Sequence, residues 1–306
     1  MAEYLQQPKL TSSGVMNWWM SEKLEGMRAF WDGGVSRGRL DCPWSTDNVP
    51  ATGLWSRYGK VIHAPAPFLD SLPRIALDGE LWLGHGLFEQ TISVVKRKEP
   101  DSRWGDIQYR VFEAVPWASF AQTRRIRNNI INIQIQDWEV EDYIADFEFD
   151  WKPSSSCMFR SSYKKLSELI SHMLVKQEEI TDLKVMNEYL DDVMNKGGEG
   201  LIIRDPHAIY TCNRTDRVLK LKPTQESTAI VVGYTSGKGK YDGMLGALIV
   251  EDNGVRFELS GMDDAMRETK IPIGTKVWYR YRSVTANGKP SEARYIGVCD
   301  EIPFTE

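Results

Sequence analysis

The stretch VLKLKPTQESTAIVVGY, Val218–Tyr234, carries the change of pattern on which the fold turns. On its N-terminal side Val218-Leu219-Lys220-Leu221-Lys222 alternates apolar and basic residues, the period-two signature of a half-buried strand. That geometry puts Lys220 and Lys222 on one face and leaves Leu219 and Leu221 for the core. Pro223 then opens a short polar break, PTQEST. Beyond it come AIVVGY, LGALIVE, VRFEL and KVWYRYR, strand-length apolar runs separated by glycine-rich turns. Roughly 80 residues of short strands without a long helix fit a five-stranded barrel of the OB type. The expected domain boundary is 223/224, giving domains 1–223 and 224–306.

Upstream of the break the pattern is mixed. IALDGELWL (75–83) alternates Ile75, Leu77, Leu81 and Leu83 with Asp78, Glu80 and Trp82, so Glu80 projects away from the aliphatic face. IQYRVFEAV (107–115) and GLIIR (200–204) have the same strand character. Between them, KKLSELISHMLVKQEE (164–179) and TDLKVMNEYLDDVMNKGG (181–198) space their apolar residues at 3.6 and predict two helices, the second stopped by Gly197 and Gly198. The fold class expected is α+β, antiparallel sheets with helices followed by the barrel.

The bulk properties bound the rest. With 306 residues and 42% hydrophobic content the chain can bury a real core, which excludes disorder, collagen and a small disulfide scaffold. Cys42, Cys157, Cys212 and Cys299 are far apart, neither a disulfide framework nor a zinc site. No apolar run has membrane length and the N-terminus lacks a secretory layout, so a soluble cytoplasmic protein with no membrane partner is expected. A net charge of -5 argues against a protein that coats nucleic acid, unless the balance hides a basic face. The acidic run 137–150 is most simply a solvated face.

Familiar motifs are absent. GYTSGKGKYDG (233–243) has three residues rather than four between Gly233 and Gly237, and Gly239 follows Lys238, so it is not a phosphate loop. There is no GxGxxG after a strand, no HExxH and no GxSxG. His63, His85, His172 and His207 are scattered and read as ordinary hydrogen-bonded histidines.

What remains is an ordered series of charged residues at expected strand ends. In SEKLEGMRAFWDG, Lys23 sits where desolvation and nearby cations can leave its amine neutral and nucleophilic, Gly26 permits close backbone approach, and Arg28 offers a forked donor for phosphate. Asp78-Gly79-Glu80 places a carboxylate where it can accept a ribose hydroxyl, and Phe112, beside Glu113, offers a face for a base. Glu199, within Gly198-Glu199-Gly200, suits a divalent cation. Lys220 and Lys222 would repel each other unless a polyanion lies between them, which suggests a phosphate clamp. Each element alone has an ordinary structural reading as a charged residue on a half-buried strand; the ordered set of five does not.

This series, Lys-x-Asp/Glu-Gly-x-Arg, Asp-Gly-Glu, Phe-Asp/Glu, Glu-Gly and Lys-x-Lys, resembles the motif ladder of the covalent nucleotidyltransferases: ATP-dependent DNA ligases, RNA ligases and capping guanylyltransferases. SEKLEGMRAFWDG, WSRYGKVIHAP, LDGELW, GGEGLIIRDP, VLKLKP and GYTSGKGKYDGMLGAL carry the likeness, which is greatest to the minimal DNA ligases of bacteria and their viruses. The resemblance implies an adenylation (nucleotidyltransferase, ATP-grasp-like ligase) domain followed by an OB domain. It implies ATP and Mg²⁺, or Mn²⁺ in its place, as cofactors, and nicked double-stranded DNA as the partner of a monomer.

Residue by residue, the resemblance makes Lys23 the nucleophile on the α-phosphate. Glu22, Arg28, Glu80, Phe112, Lys220 and Lys222 become nucleotide contacts, and Glu199 with Glu25 metal ligands. Arg57, in Trp55-Ser56-Arg57, would meet the 5′-phosphate at the nick. Glu25 stands where aspartate is commoner, residues 33–53 look like an insertion, and Arg37 or Arg39 within it could take the role given to Arg57. In the C-terminal basic motif Ser291 and Cys299 stand where arginines are expected, leaving Arg294 as the nearest substitute. Lys96-Arg97-Lys98 and Arg124-Arg125-Arg127 in the first domain, and Lys238, Lys240, Arg280, Arg282 and Lys289 in the second, supply local charge for DNA. The competing readings are an RNA ligase or capping-type enzyme, and a non-catalytic OB-type nucleic-acid-binding protein.

Overall fold

A computed structural model describes residues 2–4, 14–117, 143–211, 215–268, 270–282, 284–285 and 287–299. The chain forms two compact units, Met1–Leu221 and Lys222–Glu306.

The first unit is built on two sheets. One contains β1 (Ala2–Tyr4), β2 (Trp19–Glu22), β7 (Glu178–Glu179), β8 (Leu201–Arg204) and β9 (Thr215–Leu221) in the order β1-β9-β8-β2-β7. The other contains β3 (Met27–Asp32), β4 (Leu54–Ser56), β5 (Ala76–Trp82) and β6 (Gln108–Ala114) in the order β4-β3-β5-β6. All pairings are antiparallel except β1 with β9. The aliphatic face of β5, with Leu77 and Leu81 fully buried, packs with Trp31, Val94 and Leu166 into the largest core. Here the alternation predicted for 75–83 holds: Leu77 and Leu81 enter the core while Glu80 lies half-buried on the other side. The short helices α1 (Ala66–Asp70) and α2 (Phe88–Val95) border this core.

The helical region differs from its expectation. The first helix, α3, runs Phe159–Ile170 instead of 164–179. Met173, Leu174 and Val175 are buried as a helix would bury them, but by pairing with the edge of β6. Val111 N–H donates to the Met173 carbonyl at 2.8 Å and Val175 N–H to the Val111 carbonyl at 3.0 Å. A short apolar run has the same composition in both states, and here a sheet edge competes successfully for its backbone. The second helix, α4 (Leu183–Asn195), starts at an Asp182 cap that accepts from the Val185 N–H at 2.9 Å. It stops at Gly197, whose φ of +81° suits the left-handed C-terminal position. Met186 and Val193 seat α4 against Met20, Leu201 and Ile203.

Residues 33–53 are anchored, not appended. Asp32 is fully buried, and its carboxylate accepts from Gly34 N–H at 2.9 Å, Trp55 Nε1 at 2.8 Å and the Ser36 hydroxyl. Val35, Trp44 and Ala51 pack around it with Phe30 and Trp55.

The second unit is a five-stranded sheet, β10 (Gln225–Ser236), β11 (Leu245–Asp252), β12 (Val255–Leu259), β13 (Lys276–Tyr281) and β14 (Arg294–Val298), in the order β12-β11-β10-β13-β14. A parallel bridge between Ser260 and Arg294, with Tyr295 N–H donating to the Ser260 carbonyl at 2.9 Å, joins the two ends of that order into a barrel. Val231, Leu248, Phe257, Leu259 and Tyr279 fill it. A short helix, α5 (Asp264–Glu268), precedes β13, and its Arg267 donates to the Leu245 and Gly246 carbonyls at 2.7 Å. The would-be phosphate loop is the connection from β10 to β11: a Cβ at Gly237 would lie 2.0 Å from the Tyr241 carbonyl oxygen, so the glycine serves a tight turn.

Candidate active site

Lys23 lies on the link between the two sheets of the first unit. Its backbone N–H donates to the Gly200 carbonyl at 2.8 Å, tying the link to β8 just past the end of β2. Three residues on, Gly26 passes so close to β5 that a Cβ there would lie 2.3 Å from the Leu81 carbonyl oxygen and 2.9 Å from Glu80 Cγ. The close approach expected of this glycine is therefore real. The Lys23 ammonium is ion-paired with the largely buried carboxylate of Glu199.

Around it is a cavity of about 260 Å³ whose walls come from both sheets. From one sheet come Ser21, Ile202, Arg204, Val218 and Lys220. Strand register explains them: Ser21 faces Ile202, Ile202 faces Lys220 and Arg204 faces Val218. From the other come Arg28, Asp78, Glu80, Phe112 and Glu113. Phe112 and Glu113 are adjacent in sequence yet both reach the cavity. The register slips between Asp78 and Gly79, whose partners are Glu113 and Val111, so Phe112 is the extra residue of a β-bulge that turns it inward.

The charges are ordered. Arg28 Nε donates to Asp78 Oδ1 at 2.9 Å and a second guanidinium nitrogen binds Oδ2, while the Tyr210 hydroxyl donates to Asp78 Oδ2 at 3.2 Å. Arg204 pairs with buried Glu113 and lies 4.3 Å from the centre of the Phe159 ring. Burial pushes the Glu80 carboxyl up to about 8, against the pull of the Lys23 and Arg28 charges. Burial raises the Glu113 carboxyl too, against the Arg204 charge. Two of the three acids lining the cavity are thus engaged by arginines, and burial works against the charge on the third. With Lys23, Arg57 and Lys220 also on the wall, the field favours a polyanion. The ring of Phe112 and the side chain of Ile202 add apolar surface to the wall.

Of the residues singled out by sequence, Lys23, Arg28, Arg57, Glu80, Phe112 and Lys220 line this cavity. Others do not. Glu22 turns to His85, its carboxylate 2.5 Å from the imidazole Nε2. Glu25 is exposed and is not on the wall. Arg37 pairs with Asp70 at 2.7 Å and Arg39 with Asp41 at 3.1 Å, so of the candidates for the nick phosphate only Arg57 reaches the cavity. Lys222 begins the second unit. Lys96 and Lys98 are exposed after α2, Lys238 and Lys240 are exposed between β10 and β11, and Arg294 is exposed at the start of β14. Arg124, Arg125, Arg127 and Cys212 lie outside the described residues. Asp78, Glu113, Arg204 and Tyr210 were not given site roles by the sequence. A signal for Arg204 existed, since it follows Ile202 by two residues; Tyr210 carried none.

A divalent cation would find a compatible donor here. Among the described residues no three His, Cys, Asp or Glu side chains cluster as a cage. Mg²⁺ is ordinarily held by one or two carboxylates together with substrate phosphates, and Glu199, beside Lys23, is such a carboxylate.

In fold and cavity the chain is similar to the two-domain nucleotidyltransferases of the DNA-ligase type. Residues 236–298 match the DNA ligase OB-like domain family. Among these ligases the likeness along nearly the whole chain is to a minimal, Lig E-type DNA ligase. A solved structure of a Lig E DNA ligase, described as binding DNA with a minimal scaffold, superimposes with a TM-score of 0.70 at 28% identity, covering 97% of each chain. The DNA ligase of Haemophilus influenzae is 27% identical over 291 residues, 92% of this chain and 86% of that protein. The DNA ligase of Methanopyrus kandleri is 32% identical over 99 residues, 30% of this chain and 18% of that protein. No helix among the described residues is long and apolar enough to cross a membrane.

Proposed function

We propose that this protein is an ATP-dependent DNA ligase that seals nicks bearing a 3′-hydroxyl and a 5′-phosphate in duplex DNA, through a lysyl-adenylate on Lys23. The observation that carries the reading is the placement of Lys23 on the wall of a cationic cavity that also presents Glu80, Arg28, Phe112 and Lys220. The likeness along nearly the whole chain to DNA ligases supports it.

In the first step the Lys23 amine attacks the α-phosphorus of ATP. A P–N bond forms, the bond to pyrophosphate breaks, and the amine gives up its proton. Lys220 and Arg28 neutralise the phosphate charge, Glu80 accepts from or donates to the ribose hydroxyls, and Phe112 stacks on adenine. AMP then passes to the 5′-phosphate, for which Arg57 is the contact. Attack by the 3′-hydroxyl closes the backbone and releases AMP. Each step is phosphoryl transfer catalysed by positioning and charge, the two things this wall supplies. Glu199 would hold the cation, which neutralises phosphate oxygens when bound. Residues 1–223 act as the adenylation domain and 224–306 as the OB domain, with Lys96, Lys98, Lys238, Lys240 and Arg294 as phosphate contacts and a monomer as the working form. Because the chain is net acidic, its hold on DNA is local and falls steeply with salt.

The test is incubation with α-labelled ATP and Mg²⁺. The chain becomes covalently labelled, and Lys23→Ala abolishes the label; labelling that survives the substitution overturns the mechanism. Sealing of nicked DNA compared with nicked RNA, with ATP, GTP and NAD⁺ supplied in turn, separates DNA ligation from the RNA ligase and capping alternatives.

A further inference from the structure

Tyr58 stands out among the exposed apolar residues of the first unit. It is 69% exposed, and it directly follows the one arginine of its loop that reaches the cavity. A single exposed tyrosine on a protein surface is ordinary. This one sits on a turn whose geometry is over-determined. Ser56 N–H donates to the Lys60 carbonyl at 2.8 Å and Gly59 N–H to the Ser56 carbonyl at 2.9 Å. The Ser56 hydroxyl accepts from the N–H groups of Tyr58 and Lys60 at 3.4 and 3.1 Å. Thr46 donates twice to the Gly59 carbonyl, from its N–H at 3.1 Å and its hydroxyl at 3.0 Å. Gly59 takes a φ of +74°, and Asp47 accepts from Val61 N–H at 2.8 Å, closing the turn from the far side.

Two of these braces, Thr46 and Asp47, belong to the 33–53 segment, so one thing that segment does is hold this turn. The result is a preformed turn that carries an exposed aromatic ring, with Arg57 before it in the chain and exposed Lys60 two residues after it. A turn fixed in advance loses little backbone entropy on meeting a partner, and flanking cations select a partner that carries phosphates.

We infer that Tyr58 is a contact residue for the nicked duplex, packing its ring on the sugar or base edge beside the 5′-phosphate that Arg57 meets. It sets affinity for nicked DNA and has no part in the reaction of Lys23 with ATP. The inference rests on the ligase reading of the cavity, and the experiment separates the two.

Tyr58→Ala and Tyr58→Phe are compared with the unaltered chain in two assays: covalent labelling by α-labelled ATP, and binding of a fluorescent nicked duplex as a function of salt. Labelling is expected to be unchanged in both variants. Binding of the nicked duplex weakens roughly tenfold in Tyr58→Ala, the order of a lost aromatic contact to a nucleotide, and stays within about twofold in Tyr58→Phe. The slope of log affinity against log salt is the same in both variants as in the unaltered chain, because the ring carries no charge. Arg57→Ala, by contrast, lowers that slope by about one. Unchanged binding in Tyr58→Ala overturns the inference and leaves the ligase reading standing. Loss of labelling in Tyr58→Ala also overturns it, since the ring would then be shaping the cavity. An unaltered chain that takes no label overturns the ligase reading itself.

Discussion

Replacing Gly26 by alanine should slow the formation of the lysyl-adenylate by about two orders of magnitude without unfolding the protein. The added Cβ would lie 2.3 Å from the Leu81 carbonyl oxygen, where ordinary contact begins at 3.4 Å. That oxygen belongs to the β3–β5 ladder, in which Met27 faces Leu81, so it cannot turn away alone. The link must therefore back off from β5 by about 1 Å, and Lys23 moves with it relative to Glu80. A misplacement of that size costs on the order of 10²-fold when reacting groups are held by position. The assay is the rate of Lys23 labelling in single-turnover mixing with α-labelled ATP, alongside thermal unfolding. Gly105→Ala is the control, because a Cβ there meets nothing within 4 Å and needs no unusual backbone angle. A labelling rate within threefold of the unaltered chain would refute the claim that this close approach sets the geometry of the site.

Three further outcomes follow from the buried charges. Arg204→Met strands Glu113 without its partner and should destabilise the first unit by about 3–5 kcal/mol in urea unfolding, with part of the loss restored by adding Glu113→Gln; no restoration would mean the pair is not coupled. The folded-state Glu80 carboxyl is raised to about 8 from 4.5, so the folded chain holds the extra proton and loses stability as pH rises between those values. Glu80→Gln should then gain on the unaltered chain from pH 5 to pH 9, and a constant difference would contradict this. Asp32→Ala leaves three donors without their acceptor and should cost several kcal/mol, about 1–3 for each stranded group, together with faster proteolysis within 33–53; an unchanged digestion pattern would show that Asp32 does not anchor the segment.

The sequence made much of this legible because alternation is local. Leu77 and Leu81 against Asp78 and Glu80, or Leu219 and Leu221 against Lys220, assign faces without knowledge of the rest of the chain. What stayed hidden depends on pairing. The bulge that turns both Phe112 and Glu113 into the cavity exists only in the register between β5 and β6. Tyr210 reaches Asp78 across 132 positions of chain, and Met173 to Val175 leave the helical pattern only because the β6 edge is available. Glu22 shows the opposite failure. Adjacent to Lys23, it reads as part of the same site, yet on β2 it alternates with Ser21, which lines the cavity, and its carboxylate goes to His85.

The link carrying Lys23 belongs to neither sheet. It is fastened to one through the Gly200 carbonyl and pressed against the other at Leu81. The amine is thus located by a difference between two positions, and an error in either core reaches it undiminished. Substitutions at Met20 or Ile203 in one core, and at Leu77 or Trp31 in the other, lie away from the amine but tilt the bodies between which Lys23 hangs. Tolerance to mutation should accordingly be lower for activity than for folding in both cores. Variants that repack one sheet alone would be recovered as folded proteins in which the proposed lysyl-adenylate forms slowly, Lys23 being present but out of step with the phosphate.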